Sequence, residues 1–181
     1  MKRSGKQAEF EGKGLKKPPA TFGGKQKAKG NPKGKRPLAS KLPLHVVLRA
    51  KQGGMRLPRA FTKVDSIVFK TARKHGVAVY KYANVGNHLH IVMKVSRIQR
   101  WPAFIRELTG RIAKLVKTLQ IAPKGENFWL YRPFTRIVSG WKKAFRDVKA
   151  YVVLNQLEAE GHIDRRETKS LKELRAIWDG G

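Results

Sequence analysis

VAVYKYANVGNHLHIVMKV, running from Val77 to Val95, is the stretch on which the fold turns. Its two halves, VAVYKYAN (Val77 to Asn84) and HLHIVMKV (His88 to Val95), are rich in β-branched and aromatic residues. The Val85-Gly86-Asn87 segment between them supplies a short turn, so the whole reads as a β-hairpin. Side chains alternate across a strand, which places Tyr80 and Tyr82 on one face of the first half. In the second half, His88 and His90 share one face while Leu89, Ile91 and Met93 share the other. One face is built to pack and the other is chemically equipped to ligate.

Upstream, LPLHVVLRA (Leu42 to Ala50) reads as a buried strand ended by a turn at Gly53-Gly54. A helix follows, with Phe61, Val64, Ile67, Val68 and Ala72 on one stripe, stopping at Gly76. Downstream of the hairpin, a second helix is expected from Trp101 or Pro102 to Leu119, with Phe104, Ile105, Leu108, Ile112, Leu115 and Val116 at helical spacing. The stretch from Phe128 to Ser139 is β-prone but holds Pro133, so it reads as an edge strand or an extended loop. A third helix is expected from about Trp141 to Glu160, capped by Gly161. A short amphipathic helix is expected from Lys169 to Trp178. The resulting order, strand, helix, strand, strand, helix, strand, helix, is the ferredoxin-like α+β pattern: an antiparallel sheet with helices on one face and an added C-terminal helix.

Lys and Arg total 41 against 12 Asp and Glu, a formal net charge of +29 in 181 residues. The sequence pI near 11.0 implies a polyanionic partner. Nucleic acid is preferred over anionic membrane, because no apolar run approaches the roughly 20 residues needed to span a bilayer. The basic N-terminus is also not followed by an apolar signal core, so a cytoplasmic, nucleoid-associated protein is expected. From Met1 to about Pro37 the chain is Lys, Gly and Pro with only Glu9 and Glu11 in opposition. Residues 1–40 are accordingly expected to form a disordered basic arm, 41–163 the folded domain, and 164–181 a C-terminal helix and tail. The chain has no cysteine, which excludes disulfides, thiolate metal sites and cysteine nucleophiles.

Two imidazoles on one strand face can share a divalent cation with an oxygen ligand, although a His-x-His pair is also compatible with structural or solvent-facing histidines. His45 and His75 read as structural, and His162 has no assigned role. Tyr151 lies in the third helix with Asn155 four residues on, offset by roughly 40° around the axis, so phenol and amide share a face. Gln156 lies roughly 140° away. Periodicity alone would make Tyr151 an aromatic at the edge of the core. Arg106, Arg111, Lys114 and Lys117 decorate the second helix, and Arg132, Arg136, Lys142, Lys143 and Arg146 precede Tyr151. Singly each is compatible with a solvated basic face; as a group they suggest a phosphate-binding surface. Trp129, Tyr131 and Phe134, interleaved with Arg132, are candidates for stacking on bases or for packing.

Three segments in this order resemble one family. NHLHIVMK (Asn87 to Lys94) is similar to the HUH-motif strand, and FIRELTGRIAKLV (Phe104 to Val116) to the helix after it. FWLYRPFTRIV followed by KAYVVLNQLEAEG (Lys149 to Gly161) resembles the nucleophile segment of the single-tyrosine HUH transposases, especially the REP-associated branch. The resemblance runs from about Leu42 to Gly161. It implies metal-dependent transesterification on single-stranded or hairpin DNA, with His88, His90 and Asn155 holding Mg²⁺ or Mn²⁺. Tyr151 would be the nucleophile, forming a 5′-phosphotyrosine and a free 3′-OH and rejoining strands by the reverse step. Relatives act as monomers or as homodimers that exchange the tyrosine helix. The alternative is a domesticated, non-catalytic binder of DNA or RNA hairpins on the same fold.

Overall fold

The computed structural model describes residues 36–123, 125–130, 132–139 and 143–164. Residues 1–35 of the expected arm, the helix from Lys169 to Trp178, and Tyr131, Trp141 and Lys142 lie outside the described residues, while Leu38 and Ala39, at the end of the expected arm, pack against the main core. Four strands and three α-helices follow one another as β1 (Leu44–Arg49), α1 (Pro58–Lys74), β2 (Val77–Asn84), β3 (His88–Val95), α2 (Trp101–Thr118), β4 (Phe134–Ile137) and α3 (Lys143–Ala159). The sheet order is β2-β3-β1-β4, antiparallel throughout, which is the ferredoxin-like arrangement.

The sheet is buried on both sides by different helices. Leu44, Val46 and Leu48 of β1 and Leu89, Ile91, Met93 and Val95 of β3 face α1 and α2, whose Val64, Val68, Phe104, Leu108, Ile112 and Val116 complete the main core. The opposite face carries a smaller cluster, Ala83 and Val92 from the sheet with Val138, against Val148 and Val152 of α3. At α1 and α2, Glu107 accepts from Lys74 Nζ at 2.8 Å and bonds His75 Nε2 at 2.9 Å, tying the two helices together at their solvent edge. Those hydrogen bonds, from Lys74 first and then His75, pull the Glu107 carboxyl down to about 2.

β2 and β3 occupy the residues expected from the hairpin pattern, but the strict alternation fails at one place. The register shifts between Val79 and Lys81, so Tyr80 is an extra residue in a β-bulge. Tyr80 therefore meets Phe145 of α3, ring centroids 5.3 Å apart. Tyr82 lies on the other face and donates to Asp65 Oδ1 of α1 at 2.9 Å. The expectation that the two tyrosines share a face is corrected by that single inserted residue.

The Phe128–Ser139 stretch resolves into both of its alternatives. Its first part is irregular, held by the Ala50–Trp129 bridge and by Leu130 N–H donating to Arg49 O at 2.9 Å. The strand begins directly after Pro133 and pairs with β1 at the edge of the sheet, where a missing N–H is least costly. Trp129 is a packing residue: it lies against the main core and donates Nε1–H to Thr109 O at 2.9 Å. At the end of α3, His162 N–H bonds Leu157 O at 2.9 Å and Gly161 N–H bonds Glu158 O at 3.1 Å, with Gly161 at φ +77°. This is a Schellman cap, and the left-handed residue it requires is the glycine read from the sequence.

Candidate functional site

The second face of the sheet, the one covered by α3, holds the candidate chemistry. Strand pairing sets its rows: Arg49 of β1 lies beside His88, Val47 beside His90, and His45 beside Val92. On the far side of β1, Arg136 of β4 lies beside His45. Three histidines from two adjacent strands are thereby gathered where the sequence placed only two.

The rings are in contact. His88 and His90 have centroids 4.7 Å apart at 72°, and His45 stacks on His90 at 5.4 Å and 17°. His45 Nε2 lies 3.1 Å from His90 Nδ1, a hydrogen bond between buried side chains. His88 Nδ1 is bonded to Asn87 Oδ1, which orients that ring from within the turn. Burial, and secondarily the neighbouring Arg136 guanidinium, lower the His45 pKa to about 4. At neutral pH His45 is a neutral imidazole, one nitrogen donating and the other accepting.

Helix α3 brings Tyr151 over this group. Its ring meets His90 edge-on at 5.5 Å and 83°, and His45 at 5.9 Å and 76°. It is 41% exposed, so it is accessible from outside while touching the histidines. The position follows from helical spacing: Val148 and Val152 are buried against the sheet, and Tyr151 projects beside them. An ion pair between Arg56 and Glu160 at 3.9 Å adds a polar contact near the C-terminal end of the helix. Asn155 is buried and donates Nδ2–H to the Tyr151 backbone O at 2.6 Å, so the amide nitrogen rather than the oxygen makes this contact.

Among the described residues no group of three or more His, Asp or Glu side chains is arranged to hold a metal ion. A cation at this face would rest on the two imidazoles of the His-x-His pair and an amide oxygen, a nitrogen and oxygen donor set that fits a divalent ion with open positions for substrate. The expected basic residues divide between the layers. Arg136 is exposed on β4 in the His45 row, and Lys143 and Arg146 are exposed on α3. Arg132 is exposed just before β4. Arg106, Arg111 and Lys114 are exposed on α2, on the opposite side of the sheet, where Arg111 pairs with Glu107 at 3.5 Å. From the sequence His45 reads as structural and Arg49 has no assigned role; the strand register sets both on the face that carries His88 and His90. The only available signal was their same-face spacing in β1, which has no meaning until β1 is paired with β3.

The low pKa of His45 has a stability consequence. The native state keeps this ring neutral, whereas the unfolded chain takes up a proton below about 6.5. Stability therefore falls as pH drops from 6.5 towards 4, by about 3 kcal/mol in all from this group. Glu107 acts lower, losing its contribution between the ordinary carboxylate range and about 2. Urea denaturation of wild type and His45→Gln at pH 7 and pH 4.5 is expected to show a smaller pH difference in the variant. Equal differences would mean that His45 is not held neutral by the fold.

The class that this arrangement defines is an α+β fold, a four-stranded antiparallel sheet packed between helices. Among solved structures, the chain is similar to a REP-associated tyrosine transposase bound to a REP hairpin, with TM-score 0.51 and 14% identity over 69% of this chain and 72% of that one. It also matches a candidate transposase from Deinococcus radiodurans, with TM-score 0.46 and 16% identity over 68% of this chain and 98% of that one. No protein-family model and no curated protein sequence matches the chain. Among the described residues, no helix is long and apolar enough to cross a membrane.

Proposed function

We propose that this chain is a DNA strand-transfer enzyme that cleaves and rejoins single-stranded DNA through a 5′-phosphotyrosine on Tyr151. The observation that carries the reading is the seating of a partly exposed tyrosine edge-on against His90 of a His-x-His pair, on a helix docked over that strand. Tyr151 Oη attacks the scissile phosphorus, the P–O3′ bond breaks, and the phenol proton ends on the released 3′ oxygen. The phosphoester is kept in the covalent link, so attack by a 3′-OH reverses the step without a nucleotide cofactor. A divalent cation, Mg²⁺ or Mn²⁺, held by His88, His90 and Asn155 would neutralise the phosphate oxygens as charge builds on them.

Arg49 and Arg136, in the rows of His88 and His45, would bind the phosphates flanking the reacting one. Arg132, Lys143 and Arg146 would extend that track along the strand. Arg106, Arg111 and Lys114 lie a sheet away and would act in the general attraction of a +29 chain for a polyanion. The hairpin bound by the similar transposase makes a hairpin-forming single strand the first substrate to try. A nucleoid-associated, cytoplasmic location follows from that substrate.

The test is incubation of the purified chain with a pool of labelled hairpin oligonucleotides and Mn²⁺, read on a denaturing gel. A protein–DNA adduct is expected that disappears with EDTA and in the His88→Ala, His90→Ala double variant. Salt-sensitive hairpin binding without any adduct, unchanged by EDTA and by the double variant, would instead identify a domesticated binding protein on the same fold.

A further inference from the structure

We propose that His45 is a positioning residue for His90, accepting the His90 Nδ1–H through its own Nε2 and so fixing His90 in the tautomer whose Nε2 carries the lone pair. The inference rests on the proposed reading of His90 as a ligand. The two nitrogens are 3.1 Å apart between side chains that are 6% and 4% exposed. At that separation one ring must present an N–H and the other a lone pair, since two donors or two acceptors would repel. The pair therefore has only two arrangements, and they differ at the other ring nitrogen of His90.

If His45 donates, His90 Nε2 must carry a proton and cannot ligate. If His45 accepts, His90 Nε2 is a lone-pair donor already oriented before any cation arrives. Backbone pairing makes the contact durable. β1 and β3 are adjacent, Val47 is the register partner of His90, and His45 is one same-face step along β1. The 17° angle between the two rings and the edge-on Tyr151 over both leave little room for either to turn. A ligand histidine commonly gives its second N–H to a carbonyl or carboxylate. Here the acceptor is a second imidazole, which orients the ring without adding a negative charge beside a scissile phosphate.

The test reads the tautomer itself, in the full chain without metal, by long-range ¹H–¹⁵N correlation of the imidazole nitrogens at neutral pH. Wild type is expected to show His90 protonated on Nδ1 and unprotonated on Nε2. His45→Leu should move His90 towards the Nε2–H form that free histidine prefers. It should also weaken Mn²⁺ binding, followed by the electron paramagnetic resonance of free Mn²⁺, by about 10-fold or more. His45→Gln, which restores an acceptor oxygen, should recover most of both. A wild-type His90 protonated on Nε2 would overturn the proposal, and so would a tautomer unchanged in His45→Leu. If His45→Leu does not fold, the wild-type spectrum and His45→Gln still decide. An Nδ1–H tautomer in a chain that forms no adduct with DNA would leave the positioning role standing and remove the cleavage reading instead.

Discussion

Replacing Tyr151 by phenylalanine is expected to reduce covalent attachment to a hairpin oligonucleotide by about 10³-fold or more while leaving the fold in place. The effect is large because in the proposed reaction the phenol oxygen is the atom that becomes bonded to phosphorus, and nothing else in the ring can substitute for it. The fold should tolerate the change. Phenylalanine keeps the ring and hence the edge-on contacts with His45 and His90, and the position is 41% exposed. Thermal denaturation should coincide with wild type, and salt-dependent hairpin binding should be unchanged within about twofold, because in the proposed reading the Lys and Arg side chains supply that term. Adduct formation by Tyr151→Phe at the wild-type rate would remove Tyr151 as the nucleophile, and loss of binding together with cleavage would mean that Tyr151 holds the strand.

The largest stability effect is expected at Phe104, whose replacement by alanine should lower the free energy of unfolding by about 3–5 kcal/mol. Phe104 is fully buried in α2, packed beside Trp101 and His75 with centroids 6.0 and 5.9 Å away, and its removal opens a cavity between α2, α1 and the sheet. The contrast is Val152→Ala in α3, equally buried but belonging to the small second cluster. Two lost methyl groups there should cost only about 1–2 kcal/mol. Val152 adjoins Tyr151, however, so this milder change is expected to lower the cleavage rate by loosening the helix that carries the proposed nucleophile, whereas Phe104→Ala lowers stability first. Urea denaturation with parallel adduct assays separates the two. Equal losses of stability would mean that the two faces of the sheet are packed as one unit.

The helices, the hairpin and the likeness to the transposase strand and helix segments were all legible in the chain because each rests on local periodicity. Val64, Val68 and Ala72 recur every three or four residues, and His88 and His90 alternate with Leu89 and Ile91. The fold class followed from the order of those elements, and the Gly161 cap from the left-handed conformation that glycine adopts without a steric penalty at a helix end. Tyr80 was misread for an equally physical reason. A bulge adds one residue without altering composition, so the alternation before and after it looks continuous in sequence and is broken only by the pairing with β3.

His45 shows most clearly where the sequence stops. Read alone it is one histidine in an apolar strand, and nothing within several residues of it is chemically unusual. It joins the site because β1 is inserted between β3 and β4, which sets its Nε2 against His90 and its row beside Arg136. The same packing, through Val148 and Val152, decides that Tyr151 faces the histidines, as helical spacing names the neighbours on a helix but not the surface it meets. Charge, element order and the two chemical motifs were determined by the sequence itself, since they depend on residue identity and on contacts a few positions apart. Which histidine meets which, and which cations lie on the site face, were decided by tertiary structure, because strand register and helix docking join residues that are dozens of positions apart.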